Sequence, residues 1–156
     1  MSKCIIIREV DPNSTEAIHL IDELSNALEF ITGNSGRSSF DPNDVNGHRA
    51  AFVLAYNENE EPIGCGAIRP MDEKIAEVKR MYAKEKGIGI GTAVLSYLEE
   101  KARELGYNAL RLETRLINKR AVEFYESRGY RCIHNYGKYI NRPEAICFEK
   151  QLYREG

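Results

Sequence analysis

The feature that most constrains the fold is a glycine-rich segment that joins a strand pattern to a strong helix pattern. Residues 84–102, KEKGIGIGTAVLSYLEEKA, carry three glycines at every second position and continue without a break into an amphipathic helix. The stretch before it, KIAEVKRMYA at 74–83, is typical of a strand. The chain therefore places a strand, a loop of unusual backbone freedom and a helix in immediate succession.

The glycines and the helix start together predict an anion site. The first turn of a helix leaves backbone N–H groups without partners and carries partial positive charge. The side chains that would block the approach of an anion are absent at Gly87, Gly89 and Gly91. Lys84 and Lys86 stand beside the loop, and Thr92 adds a hydroxyl donor in the first turn. This arrangement fits a pyrophosphate group.

Other interpretations of the glycines stay open at this point. They are compatible with a tight turn and nothing more. The loop is not a Walker A sequence, because the chain contains no Gly-Lys-Ser or Gly-Lys-Thr. It fits the GxGxxG dinucleotide fingerprint poorly, because the last position falls on Thr92 or Val94. Glu113 nevertheless lies at roughly the right distance to hold a ribose, which keeps a nucleotide-binding oxidoreductase as an alternative.

Length and charge set limits on the domain organisation and on the partners. A chain of 156 residues fits one domain, so we expect residues 1–156 to form a single unit. Hydrophobic residues make up 42% and charged residues 29%, which is ordinary globular composition. Lys and Arg number 22 against 24 Asp and Glu, a net charge of −2 that argues against a general binder of nucleic acid or membrane surfaces.

The sequence predicts a soluble, cytoplasmic protein without a metal. The apolar run after MSKC is too short for a signal peptide, and no stretch of about 18 apolar residues occurs. The cysteines lack CxxC spacing and are expected to be buried, reduced thiols; they are Cys4, Cys65, Cys132 and Cys147. The three histidines form no HExxH or similar group, so we expect no metal site.

The first half of the chain predicts one helix and a run of strands. A strand is expected at 4–10, followed by a helix at about 13–31 that Ser14 can cap. Residues 32–47 are rich in turn formers and predict a loop that covers a site, with a short helical turn near 41–46. Strands are expected at about 50–57, 62–70 and 74–83, and their short connections predict an antiparallel meander.

The second half alternates helices with strands. The helix at 89–105 is expected to bury Val94, Leu95, Leu98, Ala102 and Leu105, and to expose Glu99, Glu100, Lys101 and Glu104. Gly106 ends it, a strand follows at 108–114, and a helix runs from Asn118 to Arg128 before Gly129. Strands near 130–134 and 144–152 complete the chain. This order predicts a mixed α/β fold with at least one right-handed crossover.

Residues 76–130 resemble the core of the GNAT superfamily of acetyl-CoA-dependent N-acyltransferases. The family has an R/Q-x-x-G-x-G/A loop, which Lys86-Gly87-Ile88-Gly89-Ile90-Gly91 matches with Lys in the first position. It also has an Asn-x-x-Ala-x-x-Phe-Tyr-Glu-x-x-Gly-Tyr pattern. The matching residues are Asn118, Ala121, Phe124, Tyr125, Glu126, Gly129 and Tyr130. The resemblance implies a single domain with a mixed central sheet of about seven strands flanked by helices.

The resemblance also implies acetyl-CoA as co-substrate and a set of residues that bind it. The loop Lys86 to Gly91, with Thr92, is expected to hold the pyrophosphate. In the family the fourth and fifth strands part, and the pantetheine arm pairs with the backbone around Met81 and Ala83. Asn118 is expected to contact the arm as well as to cap its helix. The connection 83–87 is about two residues shorter than in the family pattern and lacks its proline, which predicts weaker coenzyme binding.

For catalysis the resemblance implies an acid and a base. Tyr125 matches the family's usual general acid, and its alternative role is that of a core aromatic residue. Glu77 matches the position where some members carry the base; alternatively it is a solvated edge-strand residue or a partner of Lys79. The backbone N–H of Met81 matches the donor to the thioester oxygen. The implied reaction is direct attack by a primary amine in a ternary complex.

The acceptor is less constrained. Family members build acceptor pockets from regions that correspond here to loop 32–47 with Arg37 and Asp41, to Lys79 and Arg80, and to Tyr136–Tyr139. The positive charges there predict an acidic group on a small amine, while a peptide N-terminus is also compatible. The alternative function is a CoA-binding regulatory module without catalysis. Pairing of exposed strands leaves a homodimer open.

Overall fold

A computed structural model describes residues 4–33 and 47–152 of the chain. Within these ranges, seven strands and three α-helices alternate in the predicted order. The elements are β1 (Ile6–Glu9), α1 (Thr15–Thr32), β2 (Ala51–Tyr56), β3 (Pro62–Pro70), β4 (Ile75–Ala83), α2 (Ile90–Glu104), β5 (Ala109–Arg115), α3 (Lys119–Ser127), β6 (Arg131–Ile133) and β7 (Ala145–Gln151), with a short 3₁₀ helix at Gly137–Tyr139 between the last two. The predicted α/β class and single-domain architecture are confirmed.

The strands form one sheet in the order β1-β2-β3-β4-β5-β7-β6. The first four pair antiparallel with their neighbours, which confirms the predicted meander. β4 and β5 are parallel and are joined through α2. β7 lies between β5 and β6 and is antiparallel to both. The sheet is therefore mixed, and its one parallel pair lies at the centre.

Local sequence signals account for the helix boundaries. The Ser14 hydroxyl accepts a hydrogen bond from the N–H of Ala17 at 3.3 Å, which caps α1 as predicted. Gly33 ends the same helix in the left-handed conformation, with φ of 78°. The Asn118 carboxamide caps α3 through the N–H of Ala121 at 3.3 Å. The predicted helical turn near 41–46, and most of the predicted loop, lie outside the described residues.

Helices cover both faces of the sheet. On one face α2 and α3 pack through an apolar cluster that includes Val94, Leu98 and Tyr125 against Val78 and Phe148. On the other face α1 packs on the meander, where its residues Ala17, Leu20 and Ile21 meet β2 and β3. A smaller cluster around Tyr139 and Cys147 lies beyond it on β7. The α1 face is thus apolar where α1 packs on the meander, whereas charged side chains of β4 and β5 line a cavity between the two clusters.

Helix α2 lies very close to β3, and glycines make this possible. A Cβ at Gly64 would stand 2.5 Å from Cγ2 of Ile90 and 2.8 Å from the carbonyl oxygen of Tyr82. A Cβ at Gly66 would stand 2.6 Å from Sδ of Met81 and from Cγ1 of Val94. These approaches fix the first turn of α2 directly above the ends of β3 and β4.

Two sequence-based expectations about burial are wrong. Glu99 was expected on the solvent face of its helix, yet it is only 8% exposed. It accepts hydrogen bonds from the Tyr130 hydroxyl at 2.9 Å and from Nζ of Lys150 at 3.1 Å, so its charge is compensated inside. Of the four cysteines, Cys65 and Cys147 are buried as predicted, whereas Cys4 and Cys132 are exposed.

A bulge and a parting of strands shape the centre of the sheet. β4 pairs with β5 only over Ile75–Glu77, opposite Ala109–Arg111. Further along, the register with β3 shifts between Cys65 and Ala67, so that two residues of β4 oppose one of β3. One of these two, Arg80, has a left-handed backbone with φ of 57°. Beyond Glu77 the strands β4 and β5 are therefore separate, and a gap opens between them.

Neither a membrane span nor a metal cluster is found in the described part of the chain. No helix within 4–33 and 47–152 has the length and apolar character needed to cross a bilayer. The same residues bring together no group of three or more His, Cys, Asp or Glu side chains suited to a metal ion.

We predict that Gly64→Ala lowers the free energy of unfolding by about 1–3 kcal/mol, because the added methyl group overlaps Ile90 and a backbone carbonyl. Gly47→Ala is the matched control. A Cβ at Gly47 has no neighbour within 4 Å, so we expect a change within about 0.5 kcal/mol. Urea denaturation of both variants measures the difference. Equal stabilities of the two variants would contradict the close packing of α2 on β3.

Candidate active site

Two adjoining cavities occupy the gap between β4 and β5. The larger, here called the loop cleft, has a volume of about 480 Å³ and lies between the end of β4, residues 85–92 and the start of α3. The smaller, here called the sheet cavity, has a volume of about 160 Å³ and lies between β4, β5 and α1. Residues shared by both walls are Leu24, Leu28, Met81, Asn118, Ala121 and Tyr125. The two cavities therefore meet at Met81 and Tyr125.

The glycine loop presents its backbone to the loop cleft. Gly87 and Gly89 have φ of 83° and 86°, a conformation that other residues adopt only with strain. A Cβ at either position would meet no atom within 4 Å, so the space beside the loop is open. Gly89 caps α2 without any side-chain hydrogen bond, which leaves the first N–H groups of the helix available to an anion. Gly91 differs, because a Cβ there would stand 3.3 Å from the ring of Phe124.

The cations near the loop are arranged differently from the expectation. Lys86 lines the cleft, with Nζ 3.4 Å from the carbonyl oxygen of Ala83. Lys84 does not line it and instead forms an ion pair with Glu23 of α1 at 3.3 Å. Arg120, in the first turn of α3, supplies a second cation to the cleft. Burial, and then the charge of Arg120, lower the pKa of Lys86, as expected for two cations around a space suited to an anion.

Tyr125 stands at the junction of the two cavities. Its side chain is 7% exposed and its ring packs edge-on against Phe124 and Tyr130, with centroids at 5.2 and 5.7 Å. Burial raises the pKa of its hydroxyl well above the usual range, so the group stays protonated near neutral pH. No described residue, in 4–33 or 47–152, takes its hydroxyl as a hydrogen-bond partner. The hydroxyl is therefore protonated and, among the described residues, without a hydrogen-bond partner, so it can donate to a ligand.

The outer part of β4 has an open edge towards β5. Met81 and Ala83 both line the loop cleft, and the pairing with β5 ends at Glu77. Unpaired backbone groups of such an edge can pair with an extended ligand. Asn118 lines both cavities while its carboxamide caps α3.

Glu77 is buried in a central strand. It is 2% exposed, and its carboxylate accepts hydrogen bonds from Nε of Arg69 at 2.8 Å and from the Tyr136 hydroxyl at 2.7 Å. The solvated edge-strand alternative is wrong, since Glu77 is buried and β4 is a central strand; its close cationic partner is Arg69, and the charge of Lys79 acts on it only from beyond 4.0 Å. Glu77 lines neither cavity, so it reaches the junction only through a mediating group.

The sheet cavity contains charges of both signs. Lys79 and Arg80 of β4 and Glu113 and Arg115 of β5 line it, together with Tyr139. Burial lowers the pKa of Lys79 and raises that of Glu113, so the environment disfavours both charges. Of the other predicted acceptor positions, Arg37 and Asp41 lie outside the described residues.

The comparison with known families decides the classification. The model of the acetyltransferase (GNAT) family matches residues 8–130. The chain belongs to the GNAT acetyltransferase family. The IAA acetyltransferase of Azospirillum brasilense is 29% identical over 155 residues, which cover 97% of this chain and 100% of that protein.

Solved structures agree on the fold of this GNAT domain. A Klebsiella pneumoniae protein assigned as an acyl-CoA N-acyltransferase is 28% identical, with a TM-score of 0.81 over 96% of this chain and 98% of that one. A GNAT family acetyltransferase from Elizabethkingia anophelis, solved with acetyl-CoA bound, is 21% identical, with a TM-score of 0.68 over 94% of this chain and 97% of that one.

The oxidoreductase alternative is wrong, because the chain is a GNAT acetyltransferase and because Glu113 does not lie with the glycines. Glu113 lines the sheet cavity, whereas the glycines line the loop cleft. The sequence analysis did not predict that Arg120 lines the loop cleft or that Glu113 lines the sheet cavity. The sequence spacing contained a signal for Glu113. It stands two residues beyond Arg111, which lies opposite Glu77 in the β4–β5 register, so Glu113 lies on the same face of the sheet as Glu77.

Proposed function

We propose that this GNAT domain, spanning residues 1–156, transfers acetyl from acetyl-CoA to the primary amine of a small molecule or of a peptide N-terminus. The observation that carries the proposal is the junction of the two cavities at Met81 and Tyr125. One cavity has a cationic, glycine-lined wall suited to a coenzyme, and the other has a charged wall suited to an acceptor. This arrangement supports direct attack by the amine within a ternary complex.

The loop cleft fits acetyl-CoA. The open space beside Gly87 and Gly89 accommodates a pyrophosphate, and the residues from Lys86 to Thr92, including Ile88, Ile90 and Gly91, form the cradle. Lys86 and Arg120 balance its negative charge. The open edge at Met81 and Ala83, with Asn118, offers backbone and amide groups to the pantetheine arm. The Elizabethkingia anophelis relative, with acetyl-CoA bound in the same fold, supports the assignment.

The residues at the junction can assist each part of the reaction. Acetyl-CoA supplies an acetyl thioester, whose C–S bond breaks as the C–N bond to the amine forms. The Met81 N–H donates to the thioester oxygen as it gains negative charge. The Tyr125 hydroxyl gives its proton to the departing thiolate. Glu77 takes the proton that the amine loses through water, because neither Glu77 nor its hydrogen-bond partner Tyr136 lines either cavity.

A CoA-binding module without catalysis is the second candidate function. The protonated, cavity-facing hydroxyl of Tyr125 favours the enzyme, because a purely binding protein has no need of it. Release of free thiol from acetyl-CoA, followed over a panel of amino acids, polyamines, aminoglycosides and peptide N-termini, decides between them. Binding of acetyl-CoA without amine-dependent thiol release would leave only the binding module.

We further propose that the protein is cytoplasmic. Whether it forms a homodimer is an open prediction that analytical sedimentation tests.

We predict that Lys86→Gln raises the KM for acetyl-CoA about 3- to 10-fold, because a cation beside the pyrophosphate is worth about 1 kcal/mol. The kcat stays near that of the unmodified enzyme, and the difference shrinks at high salt. Lys84→Gln is the matched control, since Lys84 pairs with Glu23 and does not line the cleft. A larger effect of Lys84→Gln than of Lys86→Gln would place the pyrophosphate elsewhere.

We predict that Tyr125→Phe lowers kcat by roughly 10- to 10³-fold, the range of a lost proton transfer, and leaves the Kd of acetyl-CoA unchanged. The ring contacts with Phe124 and Tyr130 are kept, so the thermal midpoint should shift little. Tyr97→Phe on α2 is the control, because its hydroxyl pairs with Glu9 away from the cavities. An unchanged kcat of Tyr125→Phe would remove the acid role.

We predict that Glu77→Gln lowers kcat/KM for the amine by roughly 10- to 10³-fold near neutral pH. The kcat/KM of this variant should recover as the pH rises through the pKa of the free amine. The recovery is expected because a deprotonated amine needs no base. A structural role would instead lower the rate equally at every pH. Glu149→Gln is the control, since Glu149 forms a comparable ion pair with Arg111 at 2.6 Å outside both cavities.

A further inference from the structure

The sheet cavity carries two opposite charges on neighbouring strands that form no ion pair with each other. Glu77 and Arg111 are partners in the β4–β5 register, and Lys79 and Glu113 follow two residues later on the same face. The strands have parted by then. The ammonium of Lys79 and the carboxylate of Glu113 both line the cavity, yet they do not come within 4.0 Å of each other.

Lys79 is a partly buried cation in need of an anion. Within residues 4–33 and 47–152, no carboxylate lies within 4.0 Å of its Nζ. Its one hydrogen bond is with the Tyr139 hydroxyl, at the long distance of 3.4 Å. Burial lowers the pKa of Lys79, whereas the nearby charge of Glu77 raises it. Removing an ammonium from water is costly unless it is paired, so an anionic ligand group in the cavity gains a strong partner.

Glu113 keeps hydrogen-bonding capacity on the opposite wall. Its Oε2 is buried and accepts no hydrogen bond from any described residue. The closest cation is the guanidinium of Arg115 at 3.6 Å, which also faces Glu144 at 3.4 Å. A buried carboxylate oxygen without a hydrogen bond is unusual and favours a donor from a ligand. An amine in the cavity supplies such a donor.

We propose that the acceptor is a small primary amine that also carries a carboxylate, such as an amino acid. The inference rests on the proposed function and names its substrate class. Lys79 and the Tyr139 hydroxyl bind the carboxylate, while Glu113 accepts a hydrogen bond from the amine. Arg80 and Arg115 also line the cavity, but Arg80 donates to Ser25 and Arg115 pairs with Glu113 and Glu144. The remaining ammonium and hydroxyl match a monoanion better than a phosphate. The amine then lies in the cavity that Met81 and Tyr125 join to the loop cleft.

The test compares amino acids with their amides. The kcat/KM is measured for glycine, L-alanine, L-leucine and 4-aminobutyrate, each against its primary amide, in the unmodified enzyme and in Lys79→Met and Tyr139→Phe. We expect at least a tenfold preference for the better acids over their amides. Lys79→Met should lower kcat/KM for the acids at least tenfold more than for the amides. Glu113→Gln should raise the KM of acids and amides together and leave the KM of acetyl-CoA unchanged.

Lys74→Met is the matched control, because this exposed lysine precedes β4 and lines neither cavity. It should keep the preference for acids. Equal rates on acids and amides, an equal effect of Lys79→Met on both, or a preference for O-phosphoethanolamine would overturn the inference. In these outcomes acetyl transfer still occurs, so the proposed function stands.

A binding measurement decides the inference even without turnover. Calorimetric titration of the same amino acids into protein saturated with coenzyme A should show binding that Lys79→Met weakens at least tenfold. The inference would be overturned if none of the four acids binds. If acids bind but no amine causes thiol release, a binding site for amino acids stands, whereas the proposed acetyl transfer, and with it the role of the acid as acceptor, falls.

Discussion

The parting of β4 and β5 is the constraint on which the rest of the structure depends. The two strands share three register positions and then separate, just before the bulge around Arg80 on the other edge of β4. In the rest of the sheet the backbone N–H and C=O groups bond to a neighbouring strand. The separation of β4 from β5 therefore leaves an open strand edge inside the domain. Both cavities lie in the gap and share walls from α1 and α3; the loop cleft extends to the start of α2, and the sheet cavity extends along β5.

Packing on the α2 face holds the coenzyme side of the gap in position. The missing side chains at Gly64 and Gly66 let α2 lie against β3, so its first turn is fixed beside the end of β4. Glu99 accepts hydrogen bonds from Tyr130 and Lys150 and thereby ties α2 to the segments that follow α3. Tyr130 in turn packs against Tyr125. The contacts that form the core are thus also the contacts that orient the proposed acid.

The α1 face shows how the gap converts structural charges into functional ones. Where strands are paired, the charges are neutralised across them: Arg69 with Glu77 at 2.8 Å, and Arg111 with Glu149 at 2.6 Å. One step further, Lys79 and Glu113 face the gap. Lys79 is hydrogen-bonded only to Tyr139 at 3.4 Å, and Glu113 keeps one oxygen without a hydrogen bond from a described residue, so we propose that a ligand completes their interactions. The same alternation of side chains therefore places structural ion pairs at Glu77 and Arg111 and a candidate binding site two residues further along the strands.

The sequence by itself determined the elements, their order and the glycine cradle, because helix periodicity, caps and turn residues act within a few neighbours. Tertiary structure alone decided which charges are buried and paired. Glu99 stands four residues after Leu95 and turns inward only because Tyr130 and Lys150 come from distant segments to meet it. The partners of Glu77, the place of Arg120 and the opposite charges of Lys79 and Glu113 likewise depend on strand register and on the gap. The β4–β5 register is set across α2 and not by a tight turn, and the β5–β7 register also joins segments far apart in the chain, so no local segment records either.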